Sequence, residues 1–343
     1  MRKFALLFAP FAALALQPTL ANNPPFIPAF TTDFPDPFVM RHGDEFLAYA
    51  TNAQGDRANV QMARSTNLVD WTLVEEGGKL HDAMPVLPPW ARGGFTWAPE
   101  VLRTKDGFVL HFTAKDRSSD LQCIGSAFSA SPFGPFTSRD EKPLVCQTEI
   151  GGTIDSHAFR DEDGANYLYF KNDGNNPKFG KKTDIFVQRL SSDGMRVEGE
   201  AVSLLRNDTE WEAHVIEAPT MVRHANGYAL FYSANHFGWE KHQRLSPYAI
   251  GYAVCKGPMG PCTDSPSNPI LYSYNDRKAG CLSGPGHQSV FDVGGKQFIA
   301  FHGWAATKGC RRFDNRRYLY IAPLLWKDGV PQIGVSLRRT PAQ

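Results

Sequence analysis

One arrangement of apolar and polar positions returns along the chain at intervals of roughly 60 residues, a period that marks repeat architectures. Each unit opens on a small-residue or proline-containing stretch that carries one polar residue. An apolar strand follows, then a tight turn, then an aromatic-rich strand. The first unit runs Asp36-Pro37-Phe38-Val39-Met40, turns at His42-Gly43-Asp44 and continues as Phe46-Leu47-Ala48-Tyr49-Ala50. The second runs from Trp97-Ala98-Pro99-Glu100 through Lys105-Asp106-Gly107, and the third from Ile154-Asp155-Ser156-His157 through Glu162-Asp163-Gly164. The fourth runs from Glu217-Ala218-Pro219-Thr220 through Ala225-Asn226-Gly227, and the fifth from Gly286-His287-Gln288-Ser289 through Gly294-Gly295. Asp-Gly, Asn-Gly and Gly-Gly turns between apolar runs predict hairpins. More strand-like sequence follows each hairpin, such as Val60-Gln61-Met62-Ala63-Arg64 and Ile185-Phe186-Val187-Gln188-Arg189. Five units of about four antiparallel strands predict an all-β protein, a five-bladed β-propeller. A β-sandwich is built from similar short strands. The polar residue that recurs at each unit's start favours the propeller, because there the innermost strands converge at one end of a central channel.

That convergence gives the polar positions a chemical meaning. Asp36, Asp155 and Glu217 each open an apolar strand in a proline-rich or apolar setting, and His287 opens the fifth. Apolar surroundings and mutual repulsion are expected to raise the pKa of such acids, which marks a site.

The N-terminus reads as a signal peptide over residues 1–21. Arg2 and Lys3 precede an apolar run, and Thr19-Leu20-Ala21 offers a cleavage point. Residues 22–343 are then one domain. The full chain carries 36 Lys+Arg and 35 Asp+Glu, and loss of Arg2 and Lys3 leaves it near neutral. Near-neutrality predicts no nucleic-acid or membrane partner and suits an uncharged substrate. The six cysteines are Cys123, Cys146, Cys255, Cys262, Cys281 and Cys310. An even count in an exported chain predicts disulfides, with 15 connectivities open. The repeat favours the pairs 123–146, 255–262 and 281–310, each of which stays local. There is no Gly-x-Ser-x-Gly, His-Glu-x-x-His or phosphate-cradling loop. Asn207-Asp208-Thr209 is a lone glycosylation sequon.

These passages, in this order, resemble glycoside hydrolase family 43, which includes arabinanases, arabinofuranosidases and β-xylosidases. The resemblance rests on Phe34-Pro35-Asp36-Pro37-Phe38-Val39, Trp97-Ala98-Pro99-Glu100-Val101, Ile154-Asp155-Ser156 and Glu217-Ala218-Pro219. It is supported by Ser65-Thr66-Asn67-Leu68-Val69-Asp70-Trp71 and Pro132-Phe133-Gly134-Pro135-Phe136. It implies an inverting hydrolysis with Asp36 as general base, Glu217 as general acid and Asp155 tuning that acid. Inversion needs one ionised and one protonated carboxyl, roughly 6.5–9.5 Å apart so that water fits between them. The resemblance also implies that Arg317 contacts the sugar, although adjacent Arg316 leaves the register open. Phe34 and Trp97 are large aromatics that suit either an apolar wall for the sugar or the core. No cofactor is required for the chemistry. His287 is expected to face a structural calcium or a water cluster on the axis.

The local phrases around Cys123 and Cys146 and the insert Lys171 to Thr183 resemble an exo-acting branch. That branch releases L-arabinofuranose from α-1,5-arabinan or arabino-oligosaccharides. Arabinan, arabinoxylan and derived oligosaccharides are therefore the expected partners, and the expected location is extracellular or periplasmic. A β-xylosidase and an endo-arabinanase are alternatives on the same fold. A non-catalytic glycan-binding propeller is the alternative of another class.

Overall fold

The structure is a computed structural model, and it describes residues 26–52, 58–225, 227–239, 244–277, 280–306 and 310–337. The expected signal peptide, residues 1–21, lies outside the described residues, as does Asn226 of the fourth turn. Five antiparallel sheets follow one another along the chain as the blades of a five-bladed propeller. Their innermost strands are Phe38–His42, Ala91–Arg103, Thr153–Arg160, Ile216–His224 and Gly286–Val293. Each pairs with the strand that follows it in sequence. In the fifth blade Val293 pairs with Lys296 across Gly294-Gly295, whose φ values of 60° and 77° only glycine adopts freely.

The blades pack through five apolar clusters, one at each junction. Leu47, Tyr49 and Met62 of the first blade meet Val101, Leu110 and Phe112 of the second. Val39, Phe46 and Ala48 meet Phe291, Ala300 and Ile321 of the fifth. The second strand of every blade is covered on both faces by its neighbours. That is why these strands read as continuous aromatic and aliphatic runs rather than as an alternation.

The second blade departs from four regular strands, and the fifth takes up both ends of the described chain. The second has three, Ala91–Arg103, Phe108–Asp116 and Gln122–Ser129, and isolated bridges from Ile124 to Val145 and from Phe128 to Thr137 edge the last. In the fifth, both chain ends fasten onto strand Arg312–Lys327. The N–H groups of Ala29 and Phe34 donate to the carbonyls of Leu319 and Arg317, each at 2.8 Å, and the Leu337 N–H donates to Ile321 O at 2.8 Å. The ring is thus closed by the start and the end of the chain together. The disulfides are Cys123–Cys146, Cys255–Cys262 and Cys281–Cys310, the local pairing that the repeat favours. The Asn207 carboxamide is buried, accepting from Thr183 N at 2.8 Å and donating to Ala213 O at 3.1 Å. In the folded protein the sequon is a fastener.

A left-handed kink recurs at the mouth of every innermost strand. Asp36, Ala98, Asp155, Ala218 and His287 have φ of 55°, 45°, 58°, 52° and 49°. None is glycine, so each is strained, by roughly 1–2 kcal/mol if the left-handed helix is the guide. The kinks are latched. The N–H of Ala98 donates to Thr51 Oγ1 at 3.0 Å, that of Asp155 to Thr113 Oγ1 at 3.2 Å, and that of His287 to Ser233 Oγ at 2.8 Å. The N–H of Asp36 donates to His302 Nδ1 at 3.2 Å. Each acceptor stands in the later part of the preceding blade's second strand or just beyond it. In the fourth blade the corresponding residue is Lys171, and Ala218 N–H donates to Asp155 Oδ2 at 3.0 Å instead.

Replacing Thr113 with its near-isostere valine strands the buried Asp155 N–H. Leaving a buried donor unmet costs about 1–3 kcal/mol. Thr113→Val should therefore show that loss of unfolding free energy in denaturant melts, while a threonine-to-valine change at an exposed strand position should not.

Candidate active site

The kinks position the site. A pocket of about 290 Å³ opens at their end of the axis, lined by Asp36, Trp97, Asp155, Glu217, His287 and Arg317, together with Thr51, Ile154, Phe237, Tyr248 and His302. The three acids and His287 do meet, as the repeat predicts. One detail of the alignment changes. In the fourth blade Ala218 holds the kinked position, so Glu217 stands one residue ahead of the place of Asp36 and Asp155 and is structurally equivalent to Trp97. The alanines carry no polar side chain to mark the register in sequence.

The three acids differ sharply in their surroundings. Asp36 Oδ1 faces Arg317 Nη1 at 3.0 Å and His287 Nδ1 at 3.4 Å, and its Oδ2 accepts a 2.5 Å hydrogen bond from Thr51 Oγ1. Burial alone would raise its pKa. The Arg317 guanidinium and then His287 outweigh burial and hold the carboxyl well below the usual carboxylate range. Asp155 lies 4.0 Å from His287 Nδ1 and accepts the Ala218 N–H. Its pKa is pushed up to about 7, chiefly by burial and further by the Glu217 carboxylate, against the pull of His287. Glu217 Oε1 accepts a 2.6 Å hydrogen bond from Tyr248 Oη, and its Oε2 is 3.2 Å from Lys171 Nζ. Burial would raise its pKa too, but the Lys171 ammonium and the Tyr248 hydrogen bond bring it below the usual value. The expected upward shift is therefore found at Asp155 only. Neighbouring cations reverse it at Asp36 and Glu217. The proton affinity near neutrality belongs to the Asp155–Glu217 pair, which shares one proton.

His287 is buried, which would lower its pKa, yet Asp36 and then Asp155 raise it on balance, with its Nδ1 3.4 Å from the first and 4.0 Å from the second. Calcium takes six to eight oxygen ligands. Among the described residues no group of three or more His, Cys, Asp or Glu is placed to hold an ion. The residues present do not fit the calcium expected at His287.

Trp97 lines the pocket, as expected. Phe34 does not. It is fully buried, packs edge-on against Phe30 at 5.7 Å and belongs to the core between the first and fifth blades. The pocket aromatic missed in the sequence is Phe237, half-exposed at the rim beside Trp304. Arg317 is the arginine of the site, whereas Arg316 turns to Asp314. Thr51, Lys171, Tyr248 and His302 also went unread. A repeat alignment of the second-strand ends could have found three of them, since Thr51, Thr113, Lys171, Ser233 and His302 are polar residues closing apolar runs.

The chemistry of paired, buried carboxyls with opposed proton affinities is that of acid–base hydrolysis, and the comparisons with known proteins decide the family. The family model described as glycosyl hydrolases family 43 matches residues 25–331. The chain belongs to this family. It is similar to an extracellular exo-α-(1→5)-L-arabinofuranosidase of Cellvibrio japonicus, 23% identical over 323 residues that cover 88% of this chain and 86% of the relative. It is also similar to a β-D-galactofuranosidase of Aspergillus niger, 25% identical over 304 residues that cover 84% and 78% of the two chains. Among solved structures, a thermostable family-43 glycoside hydrolase superposes with a TM-score of 0.74 at 31% identity, over 91% of this chain and 96% of that one.

The charge arrangement has a stability consequence with a definite sign. A carboxyl whose folded pKa lies near 7 stays protonated in the native state while the unfolded chain ionises from about pH 4 upward. The native state then binds more protons, and stability falls between those values. Asp155→Asn keeps the acceptor for Ala218 N–H and removes the titration. It should melt above the wild type at pH 8, with the gap closing toward pH 4. A constant gap across that range would contradict the assignment.

Proposed function

We propose that this family-43 member is an inverting exo-glycosidase that removes a terminal L-arabinofuranose from α-1,5-arabinan or arabino-oligosaccharides. The observation that carries the acid–base part is the contrast between Asp36, held ionised by Arg317, and the protonated pair formed by Asp155 and Glu217. In this reading Asp36 takes a proton from water while the water oxygen bonds to the anomeric carbon. The glycosidic C–O bond breaks on the opposite face, and Glu217 gives its proton to the departing oxygen. The new bond, the broken bond and the two proton transfers sum to addition of one water. Asp155 and Glu217 share one proton; in the reacting state it stands on Glu217, and the Asp155 carboxylate makes its loss harder by repulsion. Trp97 and Phe237 offer apolar surface to the sugar ring, and Arg317 reaches a hydroxyl beside Asp36.

The small size of the pocket supports release of a single terminal sugar, and the Cellvibrio japonicus relative supports arabinofuranose as that sugar. The Aspergillus niger relative favours a second reading, a galactofuranosidase, since the two furanosides share their ring and differ in the exocyclic group. A lectin-like role would need no such opposed carboxyls. Export fits the three disulfides, which persist in oxidising compartments. Among the described residues, no helix is long and apolar enough to cross a membrane.

The test is a panel of nitrophenyl α-L-arabinofuranoside, β-D-xyloside and β-D-galactofuranoside beside linear arabinan. Arabinofuranoside should be cleaved fastest, with arabinose alone released from arabinan. Faster cleavage of the galactofuranoside or the xyloside would move the substrate, and oligosaccharide products would make the enzyme endo-acting. Glu217→Gln should lose about 10²–10⁴-fold on arabinan, the usual worth of a general acid. It should lose far less on a dinitrophenyl glycoside, whose leaving group needs no proton.

A further inference from the structure

Lys171 has no part in the acid–base roles just described, yet it is fully buried against Glu217. It ends the second strand of the third blade, where the other blades carry Thr51, Thr113, Ser233 and His302 as neutral latches. A neutral residue would serve the same purpose for the Ala218 N–H. Here that N–H is met by Asp155, and the latch position carries an ammonium that reaches past the kink to Glu217. Its Nζ donates to Asn175 Oδ1 at 2.7 Å and to Glu217 Oε2 at 3.2 Å, and lies 3.6 Å from Asp173 Oδ1. Taking an ammonium out of water costs several kcal/mol unless it is paired, so this cation is tied to the carboxylates around it. The titratable groups facing the Lys171–Glu217 contact are few. Asp173 comes from the loop after the same strand, Asp155 from the innermost strand of the same blade, Tyr248 from the fourth blade and His287 from the fifth.

We propose that Lys171 is a positioning residue of the hydrolysis, whose buried ammonium fixes the Glu217 carboxyl and sets how strong an acid it is. The proposal rests on the role given to Glu217 above. An ammonium at 3.2 Å stabilises the carboxylate over the carboxyl, which eases proton departure to the glycosidic oxygen. Asp155, on the other side, opposes that loss. Lys171 and Asp155 are thus opposed controls on one carboxyl, and Asp173 attenuates the first of them. The directions found at Glu217, lowered, and at Asp155, raised, agree with this balance.

The test compares pH profiles of kcat/KM for the full chain, its Lys171→Met variant and its Asp173→Asn variant. Without the ammonium, Glu217 should keep its proton to higher pH. The basic limb of Lys171→Met should move up by about one pH unit or more, as an opposite charge at this range shifts a carboxyl by roughly 1–3 units. On the acid-side plateau, where Glu217 is protonated in both proteins, the weaker acid should also lower kcat on arabinan, by up to about tenfold for each pH unit that the limb moves, and lower it little on a dinitrophenyl glycoside. Asp173→Asn frees the ammonium of one counter-charge and should move the limb down. Opposite displacements are what a packing role cannot produce. Limbs that stay put, or that move together, overturn the proposal. Carbon-13 NMR titration of carboxyl-labelled protein reads the same quantity without turnover, with Glu217→Gln assigning the signal. Glu217 should titrate higher in Lys171→Met than in the wild type, and an unchanged value overturns the proposal. Should the wild type cleave none of the glycosides, the functional reading fails while this titration still decides the role of Lys171. Should Lys171→Met not fold, the Asp173→Asn titration decides it, with Glu217 expected lower than in the wild type.

Discussion

The structure depends on a strained backbone kink that is made five times and tied down five times. Asp36, Ala98, Asp155, Ala218 and His287 each turn through left-handed space at the mouth of an innermost strand. Four of their N–H groups are caught by a side chain of the preceding blade, and the fifth by Asp155. The kink lifts the side chain out of the strand's alternation and aims it into the axial mouth. The latch makes each blade's geometry the business of its neighbour. A ring built this way holds side chains from distant parts of the sequence in one small pocket, as acid–base chemistry requires.

The pocket then solves an electrostatic problem. Three buried carboxyls in so small a volume would share a rising pKa if left alone. Arg317 answers Asp36, Lys171 answers Glu217, and His287 stands between Asp36 and Asp155. Asp155 has the weakest hold on a cation, and its pKa is pushed up to about 7. Different duties for like side chains therefore follow from which cation each one meets. The cations come from blades other than those carrying Asp36 and Glu217. Arg317, on the fifth blade, is tied to the N-terminal stretch through its backbone N–H to Asp33 at 2.8 Å, so the same segment that closes the ring helps place the partner of Asp36.

Much of this was legible in the sequence, for physical reasons. Hairpin turns such as Gly294-Gly295 need glycine, and the doubly covered second strands need unbroken apolar runs, so both leave marks. The acids Asp36 and Asp155 were visible because a charged residue opening an apolar strand is out of place unless it has work to do. The kink at Ala98 and Ala218 left no mark, because a left-handed alanine looks like any other alanine. Glu217 was consequently aligned one residue out of step. Phe34 and Phe237 could not be told apart, since either ring suits a core or a pocket wall and only packing decides. Lys171 was read only as the start of an insert, and its burial is visible only when the fourth blade is set beside the third. The three-stranded second blade was likewise hidden, as its outer edge is formed by isolated bridges.

The central claim is that Asp36 activates water on one face of the sugar while Glu217 protonates the departing oxygen on the other. Proton NMR of the first sugar released from an α-L-arabinofuranoside, recorded before mutarotation, tests it most directly. The account predicts that the β-anomer appears first and that the α-anomer grows in only as the solution equilibrates. Release of the α-anomer first would mean retention through a covalent intermediate, and would contradict the assignment of Asp36 as a base acting on water.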